Sequence, residues 1–569
     1  MPYEIKFTDV SFSYAGSDTL ALQHVNLTIS PGEIVLITGP AGSGKTTLCS
    51  CINGLIPHFH DGNLQGDVFV GPHNTKKARV GGLASLVGMV FQDPESQLVT
   101  NSVTDEVAFG PENLGIPREE INIRIEEALL ATRLSGYEER EPQNLSGGEQ
   151  QACVIAATYA MKPEIYVMDE PLANLDPAGR AYILKLVIQV AKQRGKTLVI
   201  VEHALEETLP VVDRVIVMNQ GQIVRDGTTK DVLAGGDIPH VFKRPDLLRL
   251  AEKFELPLDT YLPQSFFHHL KQKYQLNHLH SNGKYKASIV PLDPIIEFSD
   301  VSFSYTSNQE ALHNISLTIH AGELVAILGR NGSGKTTLVR HVIGLHHPSH
   351  GHVRVLGMDV ASTPTHLLAQ YVGFCFQNPN HQIVSFNVRD EMIFGLKAHN
   401  IDPGEYESRI NESLEIVDLK DYIDAEVFDL GKGQKQRLAL ASVLTLKPRI
   451  LVIDEPTTGQ DPEMIDDIFR IIKHLNDLGT TILLITHRID YAAMFAQRAV
   501  VLQYGKLSFD GPISDLLTNE SLMQANSLDL PETTKLATLL KDFGVPPSTV
   551  SYDDLSKYLT QIVVGSNGN

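Results

Sequence analysis

The sequence predicts an α/β fold that is built twice, with a mostly parallel sheet in each half. Short, continuous apolar runs such as TLVIVEH at 197–203 and TILLITH at 481–487 are typical of buried parallel strands, and helical stretches separate them. Matching positions keep a nearly fixed offset along the chain, for example Tyr14 and Tyr305 at the start of each half. Such a sustained register indicates a duplicated domain.

Each half begins with the strand pattern VSFSY, at 10–14 and 301–305, and a second apolar strand then runs into a Gly-rich loop. Each half ends in a helical appendage, in which a turn after a proline joins two predicted helices. The predicted organisation is a first α/β domain at 1–240, a helical appendage at 241–279, a Gly- and Pro-containing linker at 280–294, a second α/β domain at 295–525 and a helical C-terminal appendage at 526–569.

Composition excludes several classes of function. A net charge of -21 argues against a general nucleic-acid-binding protein, which would usually present a basic surface. No uninterrupted run of about 18 apolar residues occurs, so no membrane-spanning helix is predicted. The cysteines lack the spacing of a metal cluster. Two groups of histidines, at 268–280 and 346–352, leave metal binding open beside the simpler interpretation of a helix end and a surface turn.

A phosphate-binding loop occurs in each half, as GPAGSGKTT and as GRNGSGKTT. Glycines in such a loop let backbone N–H groups surround phosphates, the lysine neutralises the β and γ phosphates, and the next hydroxyl binds Mg²⁺. Two copies, each after an apolar strand and before a helix, argue against a chance match. The predicted ATP-binding residues are therefore Gly39, Pro40, Ala41, Gly42, Ser43, Gly44, Lys45, Thr46 and Thr47, with Gly329, Arg330, Asn331, Gly332, Ser333, Gly334, Lys335, Thr336 and Thr337.

An acidic pair ends an apolar strand in each half, in IYVMDE at 165–170 and in ILVIDE at 450–455. A buried strand has no structural use for two adjacent carboxylates, so the pair indicates catalysis. The first acid can hold Mg²⁺, and the second can orient or deprotonate an attacking water. The predicted Mg²⁺ ligands are thus Asp169 and Asp454, and the predicted catalytic carboxylates are Glu170 and Glu455.

A histidine ends the next predicted strand of each half, at His203 and His487, where a neutral imidazole could reach a γ-phosphate. Considered alone, each would be an ordinary residue at a strand end. Tyr14 and Tyr305 stand where an aromatic face could stack on adenine, although each alone would be a packed strand residue. The order of the surrounding motifs favours the functional interpretation in all four cases.

The order of tyrosine, phosphate loop, glutamine, LSGG, DE, aspartate and histidine resembles the ATP-binding cassette (ABC) superfamily over both halves. The resemblance implies an ATPase that uses ATP and Mg²⁺, with His203 and His487 as catalytic residues beside the two glutamates. It implies that the LSGG signature of one half lies across the ATP of the other, with its helix start contacting the γ-phosphate. Asp176 and Asp461 match the loop that joins the two sites. The ATP-binding residues implied in this way are Tyr14, Gln92, Ser146, Gly147, Gly148, Tyr305, Gln377, Gly431, Lys432 and Gly433, and the implied Mg²⁺ ligands are Thr46, Gln92, Asp169, Thr336, Gln377 and Asp454.

The second signature departs from the first, because LSGGEQQ at 145–151 returns as LGKGQKQ at 430–436. Gly431 replaces the expected serine and Lys432 an expected glycine. By the resemblance, both residues face the site built on Lys45, which loses one hydrogen bond to a charged phosphate, on the order of 1.5–3 kcal/mol. Both glutamates are present, so both sites are predicted to hydrolyse ATP, the one built on Lys335 faster. Ala152, where the second copy has an arginine, weakens that ranking because it follows the intact signature.

Finer features resemble the energy-coupling factor group of importers. These are FQDPESQL at 91–98 with DEVAFGPENLGIP at 105–117, the second copy's FQNPNHQI with DEMIFGLK, and GLIPHFHDG at 54–62. The resemblance implies a peripheral subunit on the cytoplasmic face of the cell membrane, with two ATPase domains paired within one chain. It also implies two partners, an integral-membrane coupling protein and a small membrane protein that binds a vitamin or a transition-metal ion. No nucleic-acid partner is implied.

Two other classes of ABC protein compete with this interpretation, a soluble tandem ATPase acting on ribosomes or nucleic acid and an exporter. A soluble tandem ATPase acting on ribosomes would be expected to carry a long, charged helical linker, and a DNA-repair relative would need cysteine-rich zinc insertions. This chain has a short predicted linker and only four scattered cysteines. An exporter would usually fuse the ATPase to membrane helices, which the sequence does not predict.

Overall fold

The structure is a computed structural model that describes residues 3–17, 19–173, 175–257, 262–279, 293–306, 309–457, 460 and 462–566. Contacts divide the chain into two units, Met1–Tyr261 and Leu262–Asn569. Among the described residues, no helix is long and apolar enough to cross a membrane. Most of the predicted linker at 280–294, and Asp461, lie outside the described residues.

The first unit contains ten strands and ten α-helices within its described residues. Its strands are β1 (Ile5–Tyr14), β2 (Leu22–Ile29), β3 (Ile34–Thr38), β4 (Gly62–Val70), β5 (His73–Asn74), β6 (Val87–Val90), β7 (Ile165–Asp169), β8 (Thr197–Val201), β9 (Arg214–Asn219) and β10 (Gln222–Thr228). Its helices are α1 (Lys45–Ile52), α2 (Leu55–His58), α3 (Val80–Ala84), α4 (Val103–Asn113), α5 (Arg118–Ala131), α6 (Gly147–Ala160), α7 (Pro177–Arg194), α8 (Leu205–Thr208), α9 (Thr229–Ala234) and α10 (Asp246–Lys253).

After one additional helix and strand, the second unit repeats most of this order, but among its described residues it has no counterpart of α2 and it ends in further helices and a strand. Its strands are β11 (Tyr274–Leu276), β12 (Pro294–Thr306), β13 (Gln309–His320), β14 (Leu324–Leu328), β15 (His350–Val355), β16 (Met358–Asp359), β17 (Val372–Cys375), β18 (Ile450–Asp454), β19 (Thr481–Ile485), β20 (Arg498–Gln503), β21 (Lys506–Pro512) and β22 (Val563–Ser566). Its helices are α11 (Pro263–Lys273), α12 (Lys335–Val342), α13 (Thr365–Leu368), α14 (Val388–Ala398), α15 (Tyr406–Ile416), α16 (Lys432–Leu444), α17 (Pro462–Asp477), α18 (Ile489–Phe495), α19 (Ile513–Thr518), α20 (Glu520–Ala525), α21 (Glu532–Leu539) and α22 (Tyr552–Ile562).

A six-stranded core sheet dominates each unit. In the first unit the strand order is β10-β9-β3-β8-β7-β6, and in the second it is β21-β20-β14-β19-β18-β17. All neighbouring pairs are parallel except β10–β9 and β21–β20. Every residue of β3, β7 and β8 is buried, as expected for parallel strands that are covered on both faces. The predicted α/β fold with a mostly parallel sheet is therefore confirmed.

The two faces of each core sheet pack against different layers. Along β3, Ile34 and Leu36 join a core that includes helices α4, α5 and α6, whereas Val35 and Ile37 join a core with the antiparallel sheet β2-β1-β4-β5. This division follows from the alternation of side chains along a strand. In the second unit, α14, α15 and α16 and the sheet β13-β12-β15-β16 repeat the arrangement.

The stretch 241–279, which the sequence predicted as one appendage, is divided between the units. Helix α10 belongs to the first unit, whereas α11 and β11 belong to the second. Strand β11 pairs antiparallel with β22, and α11 packs against α21. The ring of Phe267 lies 6.4 Å from that of Phe543, and Asn277 N donates a hydrogen bond to Ile562 O at 2.8 Å. The end of this stretch therefore forms one body with the C-terminal segment.

Candidate phosphate and magnesium site in each unit

The two phosphate loops connect a core strand to a helix, β3 to α1 and β14 to α12. Gly44 and Gly334 begin these helices with φ of 98° and 100°, in the region that disfavours residues with a Cβ. Gly39, at the start of the first loop, has φ of 143°, and a Cβ there would lie 2.1 Å from Met218 O. The glycines at these positions are therefore required by backbone conformation and by close packing, whereas Ala41 and Gly42 of the same loop are exposed.

The lysine of each loop lies against the loop's own carbonyl groups. Lys45 Nζ donates hydrogen bonds to Gly39 O at 2.9 Å and to Pro40 O at 2.8 Å. Lys335 Nζ makes the same two contacts in the second unit, each at 2.9 Å. Each ammonium group is thus held at the loop that is predicted to receive the phosphates.

A hydroxyl and a carboxylate meet beside each loop. Thr336 Oγ1 donates a hydrogen bond to Asp454 Oδ2 at 2.9 Å. Asp169 accepts the equivalent hydrogen bond from Thr46, which lowers its pKa less than burial raises it. Burial raises the pKa of both aspartates above the ordinary value. Within the described residues, the buried Oδ1 of Asp169 has no hydrogen-bond partner. Oxygen ligands of this kind suit Mg²⁺, which would also favour the charged carboxylate.

The glutamates that follow these aspartates have an uncommon backbone conformation. Glu170 has φ of 50° and Glu455 has φ of 47°, in the left-handed region. Each backbone N–H donates to the neighbouring strand, Glu170 to Val201 O and Glu455 to Ile485 O, at 3.0 Å in both cases. The core sheet therefore holds both carboxylates in a strained backbone geometry, as is common at functional sites.

In the first unit, the structure brings three predicted site residues together. Gln92 Nε2 donates a hydrogen bond to Glu170 Oε2 at 2.5 Å. His203 Nε2 lies 3.2 Å from Glu170 Oε1. The carboxylate is thus held between the glutamine that follows β6 and the histidine that follows β8.

In the second unit, the equivalent carboxylate keeps the contact with the site histidine but has a different partner at its other oxygen. His487 Nε2 lies 3.0 Å from Glu455 Oε1, and the His487 backbone N–H donates to Glu455 Oε2 at 3.2 Å. The imidazole also contacts the phosphate loop, because Nε2 lies 2.9 Å from Asn331 Oδ1. Burial raises the pKa of Glu455 to about 7. No hydrogen bond joins Gln377 to Glu455 in this described part of the chain, so the two units differ at the glutamine.

The predicted adenine-stacking tyrosines lie near the ends of β1 and β12, and each contacts the first helix after the phosphate loop. Tyr14 Oη lies 3.0 Å from Thr47 Oγ1, and Tyr305 Oη lies 2.9 Å from Thr337 Oγ1. Both rings are exposed, so each retains a face on which a base could stack. No group of three or more histidines, cysteines or carboxylates in the described residues could hold a metal ion, so the histidine groups do not form such a site there.

The two signature motifs begin α6 and α16. Ser146 is the N-cap of α6, where its Oγ donates to Glu149 Oε2 at 2.7 Å and its backbone N–H donates to the same oxygen at 2.8 Å. Gly431 is the N-cap of α16, and its N–H donates to Gln434 Oε1 at 2.9 Å. Both helix starts are preserved, but only the first presents a hydroxyl group.

The structure adds a residue that the sequence analysis missed. Glu202 follows β8 and is fully buried, and burial together with the nearby Glu170 raises its pKa to about 8. Its carboxyl group accepts hydrogen bonds from the backbone N–H groups of Leu172 at 2.8 Å and His203 at 3.2 Å. The signal in the sequence was an acidic residue at the end of an apolar run, where the second copy has Thr486.

Comparison with known proteins agrees with this geometry. A family model described as ABC transporter matches residues 22–173 and 312–458. An ABC transporter ATP-binding protein of Caldanaerobacter subterraneus subsp. tengcongensis is 37% identical over 557 residues, covering 94% of this chain and 96% of its own. One from Methanosarcina mazei is 36% identical over 572 residues, covering 98% of this chain and 97% of its own.

A solved structure, described as cbiO1 from Clostridium perfringens and as part of the ABC transporter complex cbiONQ, is 28% identical to this chain. It matches with a TM-score of 0.39 and covers 44% of this chain and 99% of its own. The family model and the two full-length relatives decide the family. This chain belongs to the ABC transporter family, as an ATP-binding ATPase with two tandem domains of the P-loop NTPase fold.

Proposed function

We propose that this chain is the ATP-binding and ATP-hydrolysing subunit of an importer of the energy-coupling factor type. In this proposal it is bound to the cytoplasmic face of the cell membrane by an integral-membrane coupling protein, which also holds a small substrate-binding membrane protein. ATP-driven closure of two composite sites then drives uptake of a vitamin or a transition-metal ion. The observation that carries the proposal is the pattern FQDPESQL and DEVAFG, which both units share in related form. In the first unit this segment runs from Gln92 of the ATP site to helix α4.

A buried glutamate makes that connection in both units. Glu106, on α4, accepts hydrogen bonds from the N–H groups of Val99 and Thr100, each at 2.9 Å. Glu391, on α14, accepts hydrogen bonds from the N–H groups of Val384 and Ser385, at 3.0 and 2.9 Å. The loop that begins with Gln92 is therefore fixed at its far end to α4. A change at the ATP site that moves this loop would be passed to the helix.

Exposed apolar side chains on these helices provide a surface for a membrane partner. Phe109 on α4 is 49% exposed and Phe394 on α14 is 57% exposed. Phe386, just before α14, is 92% exposed. Large exposed apolar groups that lie close together are typical of a protein-protein contact. They support docking of an apolar helix from the coupling protein.

The site residues suit ATP hydrolysis in each unit. Lys45 and Lys335 neutralise phosphate charge, and the loop N–H groups surround the phosphates. Thr46, Gln92 and Asp169 would hold Mg²⁺ in the first site, with Thr336, Gln377 and Asp454 in the second, and the ion would supply further neutralisation of the phosphates. Glu170 and Glu455 orient or deprotonate the attacking water, and the neighbouring imidazole contacts the γ-phosphate.

Isolation from membranes tests the transport role. We expect the chain, purified from detergent-solubilised membranes, to bring at least two integral-membrane proteins with it. The double variant Phe109→Ser, Phe394→Ser should lose them, whereas Leu130→Ser, which also changes an exposed apolar residue, should retain them. Sedimentation with ribosomes instead of membrane proteins would contradict the importer and support a soluble tandem ATPase.

A further inference from the structure

The two units differ at the residue before the site histidine. Glu202 occupies this position after β8, and Thr486 occupies it after β19. Glu202 is 4% exposed although its side chain is charged in water. A buried carboxyl group is costly unless hydrogen bonds satisfy it, so its partners reveal what it does.

Both oxygens of Glu202 accept a hydrogen bond from a backbone N–H. Oε1 accepts from Leu172 at 2.8 Å, and Leu172 lies two residues after Glu170. Oε2 accepts from His203 at 3.2 Å. The carboxyl group therefore joins the loop that carries the site glutamate to the loop that carries the site histidine.

Thr486 leaves the corresponding histidine N–H to another acceptor. Its own Oγ1 accepts a hydrogen bond from Arg488 N at 3.0 Å. The N–H of His487 donates instead to Glu455 Oε2 at 3.2 Å, so the site glutamate is drawn back toward the strand end. The side chain of Glu455 is 9% exposed, compared with 15% for Glu170.

We infer that Glu202 is a positioning residue of the first ATP site. By accepting the His203 N–H, it leaves Glu170 Oε2 to accept the hydrogen bond from Gln92 at 2.5 Å. Glu170 therefore faces the glutamine of the phosphate site, whereas Glu455, which lacks such a neighbour, turns back to the His487 backbone. The inference rests on the proposed catalytic role of the two glutamates.

A purely structural role for Glu202 makes a different prediction. In that case its replacement lowers the stability of the unit without changing the rate per folded molecule. A positioning role lowers kcat and leaves ATP binding intact, because Lys45 and the loop glycines are unchanged. A reciprocal substitution in the second unit should then have the opposite effect.

The test is an exchange of these two residues in the full chain. Glu202→Thr is combined with Glu455→Gln, which inactivates the second site, so that the measured turnover comes from the first site. Thr486→Glu is combined with Glu170→Gln, so that the measured turnover comes from the second site. We expect Glu202→Thr to lower kcat by about tenfold with KM changed by no more than about twofold. Thr486→Glu should raise kcat of the second site. Glu202→Gln, which retains one acceptor oxygen, should keep more activity than Glu202→Thr.

A crystal structure of Glu202→Thr provides a direct reading. It should show Glu170 Oε2 bonded to the His203 N–H and separated from Gln92. Unchanged kcat for both Glu202→Thr and Thr486→Glu would overturn the inference, and so would a crystal structure that retains the contact between Gln92 and Glu170. If the chain that carries both Glu170→Gln and Glu455→Gln still hydrolyses ATP, the proposed catalytic role fails instead. If Glu202→Thr does not fold, the inference depends on Thr486→Glu alone, and an unchanged kcat of that variant overturns it.

Discussion

Restoring the serine of the second signature should strengthen ATP binding at one site. Gly431 has φ of -65° and ψ of 162°, close to the -64° and 155° of Ser146, so serine fits the existing backbone. A Cβ at this position would lie 3.6 Å from Gln434 Oε1, an ordinary contact. Gly431→Ser should therefore fold without rearrangement.

The size of the effect follows from the hydroxyl group that is added. A hydrogen bond to a charged group contributes about 1.5–3 kcal/mol, which corresponds to an affinity change of about 10- to 150-fold. A serine N-cap in place of glycine also stabilises the helix by only a few tenths of a kcal/mol. The change in affinity should therefore be much larger than the change in stability.

The assay is KM for ATP hydrolysis in each single-site background. By the family resemblance, Gly431→Ser should lower KM in the Glu455→Gln chain, where the site built on Lys45 is active, and not in the Glu170→Gln chain. Ser146→Gly is the matched control, and it should raise KM in the Glu170→Gln chain. A change of KM caused by Gly431→Ser in the Glu170→Gln chain, or no change in either chain, would contradict the assignment of Gly431 to the site built on Lys45.

Three further predictions follow from the described geometry. Because burial raises the pKa of Glu202 to about 8, above the ordinary 4.5, the folded state binds this proton more tightly than the unfolded state. The folded state therefore loses stability relative to the unfolded state from about pH 4.5 to about pH 8. The Tm of Glu202→Gln relative to the unchanged chain should be higher at pH 9 than at pH 5. A difference in Tm that does not depend on pH would count against the raised pKa. Leu270→Ala, at a fully buried position of α11, should weaken the packing of 263–276 by about 2–5 kcal/mol, seen as faster hydrogen exchange there, with the exposed Gln264→Ala as control. Lys45→Ala and Lys335→Ala should each weaken binding of a fluorescent ATP analogue at one of two sites by about 10- to 150-fold, and two unchanged affinities would contradict the assigned phosphate loops.

The sequence was sufficient for the fold because its signals are local and repeated. Buried strands such as 197–201 are continuous apolar runs, and their parallel pairing follows from the helices between them. The phosphate loops were equally visible, since their glycines are required by backbone angles that few other residues adopt. Two copies of each motif also fixed which residues correspond.

Features that depend on distant partners could not be predicted in this way. Strand β11 has three residues and exists because it pairs with β22, almost 290 positions later in the chain. Glu170 and Glu455 have different partners at Oε2 because of competition for one backbone N–H, which Glu202 accepts in one unit only. The sequence shows that Glu202 precedes one site histidine and Thr486 the other. The consequence of this difference could not be predicted, because it depends on the hydrogen bond from the Leu172 N–H to Glu202.

The most direct test of the central claim is ATP turnover by Glu170→Gln, Glu455→Gln and the double variant. Two catalytic but unequal sites predict that the double variant binds ATP without hydrolysing it, while each single variant retains part of the turnover. At ATP concentrations below KM, Glu455→Gln should lose more activity than Glu170→Gln, because the site it leaves is the one predicted to lack the signature serine. Hydrolysis by the double variant, or a greater loss in Glu170→Gln at limiting ATP, would contradict the account.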